Sequence, residues 1–249
     1  MDYVPSISII TATWNAERFL PSLVESLRNQ TDKNFDWVIA DGGSTDKTLE
    51  LLNDVGDLTL EVDSQPDFGI YDALNRAVRG LVSDYYLVVG ADDYLEPDAI
   101  DNYRKAAIDA NGPDLVAAAV RIDHTIVLPK AGWGWYYGMG GESSCHSVGL
   151  LIKYSLHDEF GLYSRKYPIT ADQLFIKTVL RNQGSIVRCG FLAGEFATDG
   201  ASGGDEWGMI TELFRVQVKT ERWLLVQLLL LFIRCLKCYL RGVIRRVTK

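Results

Sequence analysis

The sequence predicts an α/β fold: a mixed, mostly parallel sheet with helices on both faces. Three observations predict it. Short apolar, β-branched-rich runs alternate with helical patterns through residues 6–95, the spacing of βαβ units. The runs are apolar almost throughout, as in strands covered on both faces. Each run also ends in polar, mostly acidic residues, and open sheets of this kind bind ligands beyond the carboxyl ends of their strands.

In order, SISIITATW is the first strand, ending at Asn15, and ERFLPSLVESLRNQ is the first helix. DWVIAD ends in Asp41 to Asp46 and leads into the helix DKTLELLNDV. LTLEVDS ends in Asp63 to Asp67 ahead of the helix YDALNRAVRGL, and YYLVVG ends in Asp92 and Asp93. One acid at a strand end can simply cap the next helix, the role expected of Asp98 after Pro97. Four polar ends in succession, three of them acidic, suggest a shared pocket. Beyond them, PDAIDNYRKAAIDAN reads as a helix, and DLVAAAVRID, TIVLP and CHSVGLLIK read as strands. The loop KAGWGWYYGMGGESS is rich in Gly and aromatics, and ITADQLFIKTVLRNQG is a helix starting near Ala171 with Gly184 beyond its end.

Charge and cysteines narrow the function classes. Residues 1–221 carry all 33 acids and 18 Lys/Arg, whereas 222–249 carry seven Lys/Arg and no acid. An acidic body argues against nucleic acid, which requires a basic face. The N-terminus lacks the basic start and cleavage site of a signal peptide, and four scattered cysteines are no disulfide framework, so a cytoplasmic location is expected. Cys235 and Cys238 form C-x-x-C, but neither a second pair nor a nearby His completes a zinc site.

The segments ISIITATWNAERFLPSLVESLRNQ, DWVIADGGSTDKT, SQPDFGIYDALNRAV and YYLVVGADDYL, in this order, resemble the nucleotide-sugar-binding half of the family 2 glycosyltransferases. The likeness covers roughly residues 6–200, and the wording of DFGIYDALN is similar to that of enzymes building bacterial surface polysaccharides. It implies the GT-A fold, Rossmann-like, for a catalytic domain over 1–205, with a nucleotide-sugar-binding half at 1–95 and an acceptor and catalytic half at 96–205. A C-terminal helical segment at 206–249 follows.

The resemblance also implies roles. Thr11, Asn15 and Asp41 match positions at the nucleotide base and ribose, where a carboxylate accepts hydrogen bonds from N–H or hydroxyl groups. Asp67, Gly69 and Asp72 match a loop over the diphosphate. Asp92 and Asp93 match the acidic motif that holds Mg2+ or Mn2+; with Gly90 in place of the first acid of D-x-D, Asp93 is taken as the metal ligand and Asp92 as a donor contact. A divalent cation would stabilise the charge left on the departing nucleoside diphosphate. Asp172 matches the catalytic base that removes the acceptor's proton, with Ala171 where the family often has Glu, and the expected outcome is inversion at the anomeric carbon. His146 matches a residue near the acceptor, and Gly200 to Gly204 resemble a loop near the donor.

The tail WLLVQLLLLFI has one polar member and is too short to span a bilayer. Extended as a helix it aligns Arg234, Lys237, Arg241 and Arg245, with Gln227 near the same stripe. Such a helix suits the interface of an anionic membrane, cations toward the headgroups, or packing on the catalytic domain or a homo-oligomer partner. The leading expectation is an inverting glycosyltransferase, peripheral to the membrane's inner face, moving a sugar from a nucleotide-sugar donor, UDP foremost, to a saccharide or lipid-linked acceptor. The alternatives are a sugar-phosphate nucleotidyltransferase and a non-catalytic nucleotide-sugar-binding or assembly subunit.

Overall fold

The computed structural model describes residues 4–196 and 205–247. The first half contains β1 (Ile7–Thr13), α1 (Leu20–Arg28), β2 (Phe35–Asp41), α2 (Thr48–Asn53), β3 (Leu60–Ser64), α3 (Ile70–Gly80) and β4 (Tyr85–Val88). The second contains β5 (Tyr94–Leu95), α4 (Ala99–Asp109), β6 (Leu115–Ile122), β7 (Thr125–Val127), α5 (Gly134–Tyr137), β8 (Leu150–Lys153), α6 (Leu156–Phe160), α7 (Ala171–Arg181), β9 (Ile186–Phe196), α8 (Glu206–Thr220) and α9 (Leu224–Val247). Among the described residues one sheet orders them β3-β2-β1-β4-β8-β6-β9-β5, with β7 paired to β6. Pairing is parallel from β3 through β4, and β8 joins β4 and β6 antiparallel. The parallel half therefore brings its strand ends to one edge.

Continuous apolar runs follow from two-sided burial. Ile7, Ile9, Trp37 and Leu87 pack in one layer with Leu20, Leu23 and Leu27 of α1 and Ile100 and Tyr103 of α4. Ile10, Ala40 and Tyr86 point to the opposite layer, against Leu74 and Val78 of α3 and Phe175 and Ile176 of α7. Neighbours on a strand thus face different cores.

Several elements depart from expectation. β9 was unread because Gly190 and Gly194 interrupt its pattern, and its register on β6 slips near Ala117 to Val120. The aromatic loop contains the short helix α5 and a 3-10 turn at Gly138–Gly141. Asp98 stands at the start of α4, yet its side chain makes no capping bond. Contacts cross the expected division at 205: Glu212 of α8 accepts hydrogen bonds from the Ile169 and Thr170 N–H groups, both at 3.0 Å, which ties α8 to the start of α7.

The tail helix forms, but its stripe faces inward. Gln227 Nε2 donates to the Trp135 carbonyl at 3.0 Å, and Arg234 donates to Gln217 Oε1 at 2.8 Å and to the Tyr136 carbonyl. Arg241 lies 3.8 Å from Glu206. Lys237 alone of the described stripe cations is exposed without an ion pair to the body among the described contacts. Helix geometry aligned the stripe, and the polar surface of α5 and α8, invisible to periodicity, turned Gln227, Arg234 and Arg241 toward protein; the Arg245 side chain lies outside the described residues. Among the described residues no helix is long and apolar enough to cross a membrane.

Candidate active site

The loops leaving β1, β2 and β3 form one wall. Asp41 ends β2, fully buried. Its Oδ1 accepts from Thr13 Oγ1 at 2.9 Å and Ser44 Oγ at 2.5 Å; its Oδ2 accepts from the Gly43 and Ser44 N–H groups at 2.9 Å and from Ser64 Oγ at 2.7 Å. Burial pushes its pKa up, but the hydrogen bonds from Ser44, Ser64 and Thr13 outweigh burial and hold it below the usual carboxylate range. Five donors fill the roughly four lone-pair sites of a carboxylate. These bonds tie the carboxylate to the turn after β2 and to the neighbouring strands.

Asn15 takes a left-handed φ of 49°, which Asn tolerates, and its Oδ1 accepts the Thr45 N–H at 2.9 Å. Thr11 is not brought into this wall: it is fully buried and its hydroxyl accepts from the Trp37 indole at 3.0 Å. Asp67 reaches over β2, because a Cβ at Gly42 would stand 2.7 Å from its Oδ2. The Asp67 Oδ1 accepts the Gly69 N–H at 2.8 Å, and Gly69, at φ 112°, opens α3 with a conformation side chains resist. Arg76, on the same helix, donates to the Asp41 carbonyl at 2.9 Å and to Asp63 at 3.2 Å. Sequence reasoning missed it, because a cation on an amphipathic helix reads as solvated surface; its signal was position, two turns after the Asp67 loop.

The second wall begins at β4. A Cβ at Gly90 would lie 2.7 Å from Asp92 Oδ1 and 3.0 Å from Asp93 Oδ2, so the two carboxylates fold back over the glycine and exclude the first acid of a D-x-D motif. Asp93 is 1% exposed and its Oδ2 accepts the Gly90 N–H at 2.8 Å. Asp92 is half-buried and is the more accessible acid of the pair. Hard oxygens converging over one glycine fit Mg2+ or Mn2+ chemistry. Among the described residues no three His, Cys, Asp or Glu side chains form a ready metal cluster, so a cation here needs further oxygens from substrate and water.

His146 stacks on Phe196 with ring centroids 3.9 Å apart. Burial lowers its pKa to about 4 despite the opposing charges of Asp172 and Asp92, so the ring is neutral at pH 7 and its 3.8 Å approach to Asp93 is no ion pair. Its Nδ1 accepts the Val148 N–H at 3.4 Å, leaving the proton on Nε2.

Asp172 lies in the first turn of α7. Burial raises the Asp172 pKa above the usual range, and the Tyr71 hydroxyl, donating to its Oδ1 at 2.7 Å, the Gln173 N–H and His146 only partly oppose this. Tyr71 was also missed, since an apolar position of α3 reads as core. Its neighbours on α3 make the same crossing: Asn75 Nδ2 donates to the Tyr163 carbonyl at 2.8 Å while its Oδ1 accepts the Tyr163 N–H at 2.9 Å, and Arg165 donates to Asp72 at 3.1 Å. The YDALN stretch therefore holds the segment that carries Asp172. Gly200 to Gly204 lie outside the described residues.

The family model for glycosyl transferase family 2 matches residues 8–133. A PGL/p-HBAD biosynthesis glycosyltransferase of Mycobacterium tuberculosis is 30% identical over 193 residues, spanning 74% of this chain and 73% of that protein. The chain belongs to glycosyl transferase family 2. Among solved structures, S. aureus TarS residues 1–349 with UDP-GlcNAc superposes with a TM-score of 0.65 at 17% identity, covering 91% of this chain and 70% of that one. The mannosyltransferase PcManGT from Pyrobaculum calidifontis, in complex with GDP-Man and Mn2+, superposes at 0.69 with 18% identity, covering 88% and 66%. The architecture is the GT-A fold, and family membership supports glycosyl transfer as its activity.

Proposed function

We propose that this protein is an inverting glycosyltransferase that moves a sugar from a nucleotide-sugar donor, foremost a UDP-sugar, to a saccharide or lipid-linked acceptor at the inner face of the cell membrane. One observation carries the reading: at the start of α7 the Asp172 carboxylate accepts the Tyr71 hydroxyl at 2.7 Å, in surroundings whose burial raises its pKa. The acceptor hydroxyl attacks C1 opposite the departing nucleoside diphosphate, and its proton passes to Asp172. A raised pKa makes Asp172 a stronger proton acceptor than an ordinary carboxylate. The His146 Nε2–H supplies a neutral donor between the two acidic sides. Asp67, Gly69 and the backbone of the 41–45 turn line the donor wall.

Asp92, with Asp93 bracing its turn, would hold Mg2+ or Mn2+. A bound cation supplies charge stabilisation to the diphosphate. Donors and acceptors in the names of related proteins, including a UDP-sugar, GDP-Man and PGL/p-HBAD biosynthesis, support the substrate class. The test is a nucleotide-sugar screen in which thermal shift with Mn2+ is followed by transfer to lipid-linked acceptors. A donor at 100 times its dissociation constant should stabilise the fold by about 2.7 kcal/mol. Binding without transfer to any acceptor, together with unchanged behaviour of Asp172→Asn, would leave a donor-binding subunit instead.

A further inference from the structure

We infer that α9 docks on an anionic lipid surface with its apolar face outward and its polar stripe locked to the protein. The orientation is inverted relative to an ordinary surface helix. Leu225, Leu228, Phe232, Leu236, Tyr239 and Val243, spaced by three and four residues, share one face, and all are exposed, Leu225 at 81% and Phe232 at 66%. Gln227, Arg234 and Cys238 lie opposite, bonded to Trp135, Gln217, Tyr136 and Glu206. The joint before the helix is fastened too: Glu221 accepts from buried Lys177 and from Arg181, both at 2.5 Å. These bonds fix which face is presented. From Leu225 to Val243 this face extends over about 27 Å of helix, far beyond scattered surface apolar residues.

Charge selects the occupant. The segment 222–249 carries no acid and its exposed Arg222 and Lys237 lie outside the bonds to the body, so two copies packed through this face bring like charges together, whereas anionic headgroups are complementary. Exposed Lys237 flanks the apolar face, and exposed Trp223 stands beside its start, suited to the headgroup level. Arg234, held by Gln217 and Tyr136, positions the helix and does not face lipid.

The test uses the full chain with phosphatidylcholine vesicles, with and without phosphatidylglycerol, in flotation, and sedimentation velocity without lipid. Wild type should float with the anionic vesicles. Leu225→Glu plus Phe232→Glu should lower vesicle affinity by about tenfold or more with an unchanged melting temperature, because both side chains are exposed. Leu225→Glu alone supplies the same comparison if the double variant melts early. Arg234→Gln should weaken vesicle affinity less than Leu225→Glu. Failure of wild type to float, or equal flotation of the Glu variants, overturns the proposal. So does a lipid-free dimer that these variants dissociate, which would assign the face to a second copy. Transfer to a water-soluble acceptor is read separately, so the lipid surface and the transfer chemistry can fail independently.

Discussion

Asp41 ends β2 and Asp172 lies in the first turn of α7, and the surroundings of these two carboxylates drive their acidities apart. Asp41 receives five hydrogen bonds, two from backbone N–H groups, and its pKa is held down. Asp172 has the Tyr71 hydroxyl and the start of α7 as donors, too few to offset burial, and its pKa is raised. The lesson is that an acid at a strand end is not by that fact a reactive group. A saturated carboxylate serves the backbone, while an under-solvated one is ready for a proton.

The largest effect that would sharpen this contrast is expected from Asp172→Asn. Transfer should fall by about 10²–10⁴-fold with folding stability nearly intact, read from initial rates and urea unfolding. Near-wild-type turnover would remove Asp172 from the chemistry. Asp41→Ala should do the reverse, costing about 3 kcal/mol or more of stability by stripping acceptors from buried donors. A rate loss at unchanged stability would break the division of roles.

pH offers an independent reading. The folded pKa of Asp41 is depressed, so its contribution to stability is present above the unfolded value and is lost as pH falls through the folded one. The folded pKa of Asp172 is raised, so its contribution is present below the unfolded value and is lost as pH rises through the folded one. Urea midpoints of Asp41→Asn and Asp172→Asn, followed from about pH 2 to pH 7, should therefore diverge from wild type in opposite directions.

A smaller effect is expected from Tyr71→Phe. Loss of the hydroxyl removes a bond that stabilises charged Asp172, so the acid limb of kcat/KM should move to higher pH, with the neutral-pH rate down by about tenfold. An unmoved limb would show that Tyr71 only packs. The smallest is Gly90→Ala, whose methyl meets Asp92 Oδ1 at 2.7 Å; donor affinity measured with Mn2+ should weaken by about three- to tenfold. Unchanged affinity would mean that the acid pair tolerates displacement.

The sequence by itself determined the βαβ half of the fold, the acidic strand ends, the start of α7 and the existence of a tail helix, because periodicity and turn residues are local properties. It also placed Asp172 and the 92–93 pair among the candidate residues. Only the tertiary structure decided what each acid does. Thr13 reaches Asp41 from the end of β1, Ser64 from the end of β3 and Ser44 from the turn after β2, Tyr71 reaches Asp172 across 101 positions, and Glu212 reaches the start of α7 from more than 40 positions away. The outward face of α9 was undecided for the same reason. Helical spacing separates a polar stripe from an apolar one, but which stripe meets protein depends on the carbonyls of Trp135 and Tyr136 and the Gln217 side chain, and no pattern within the helix encodes them.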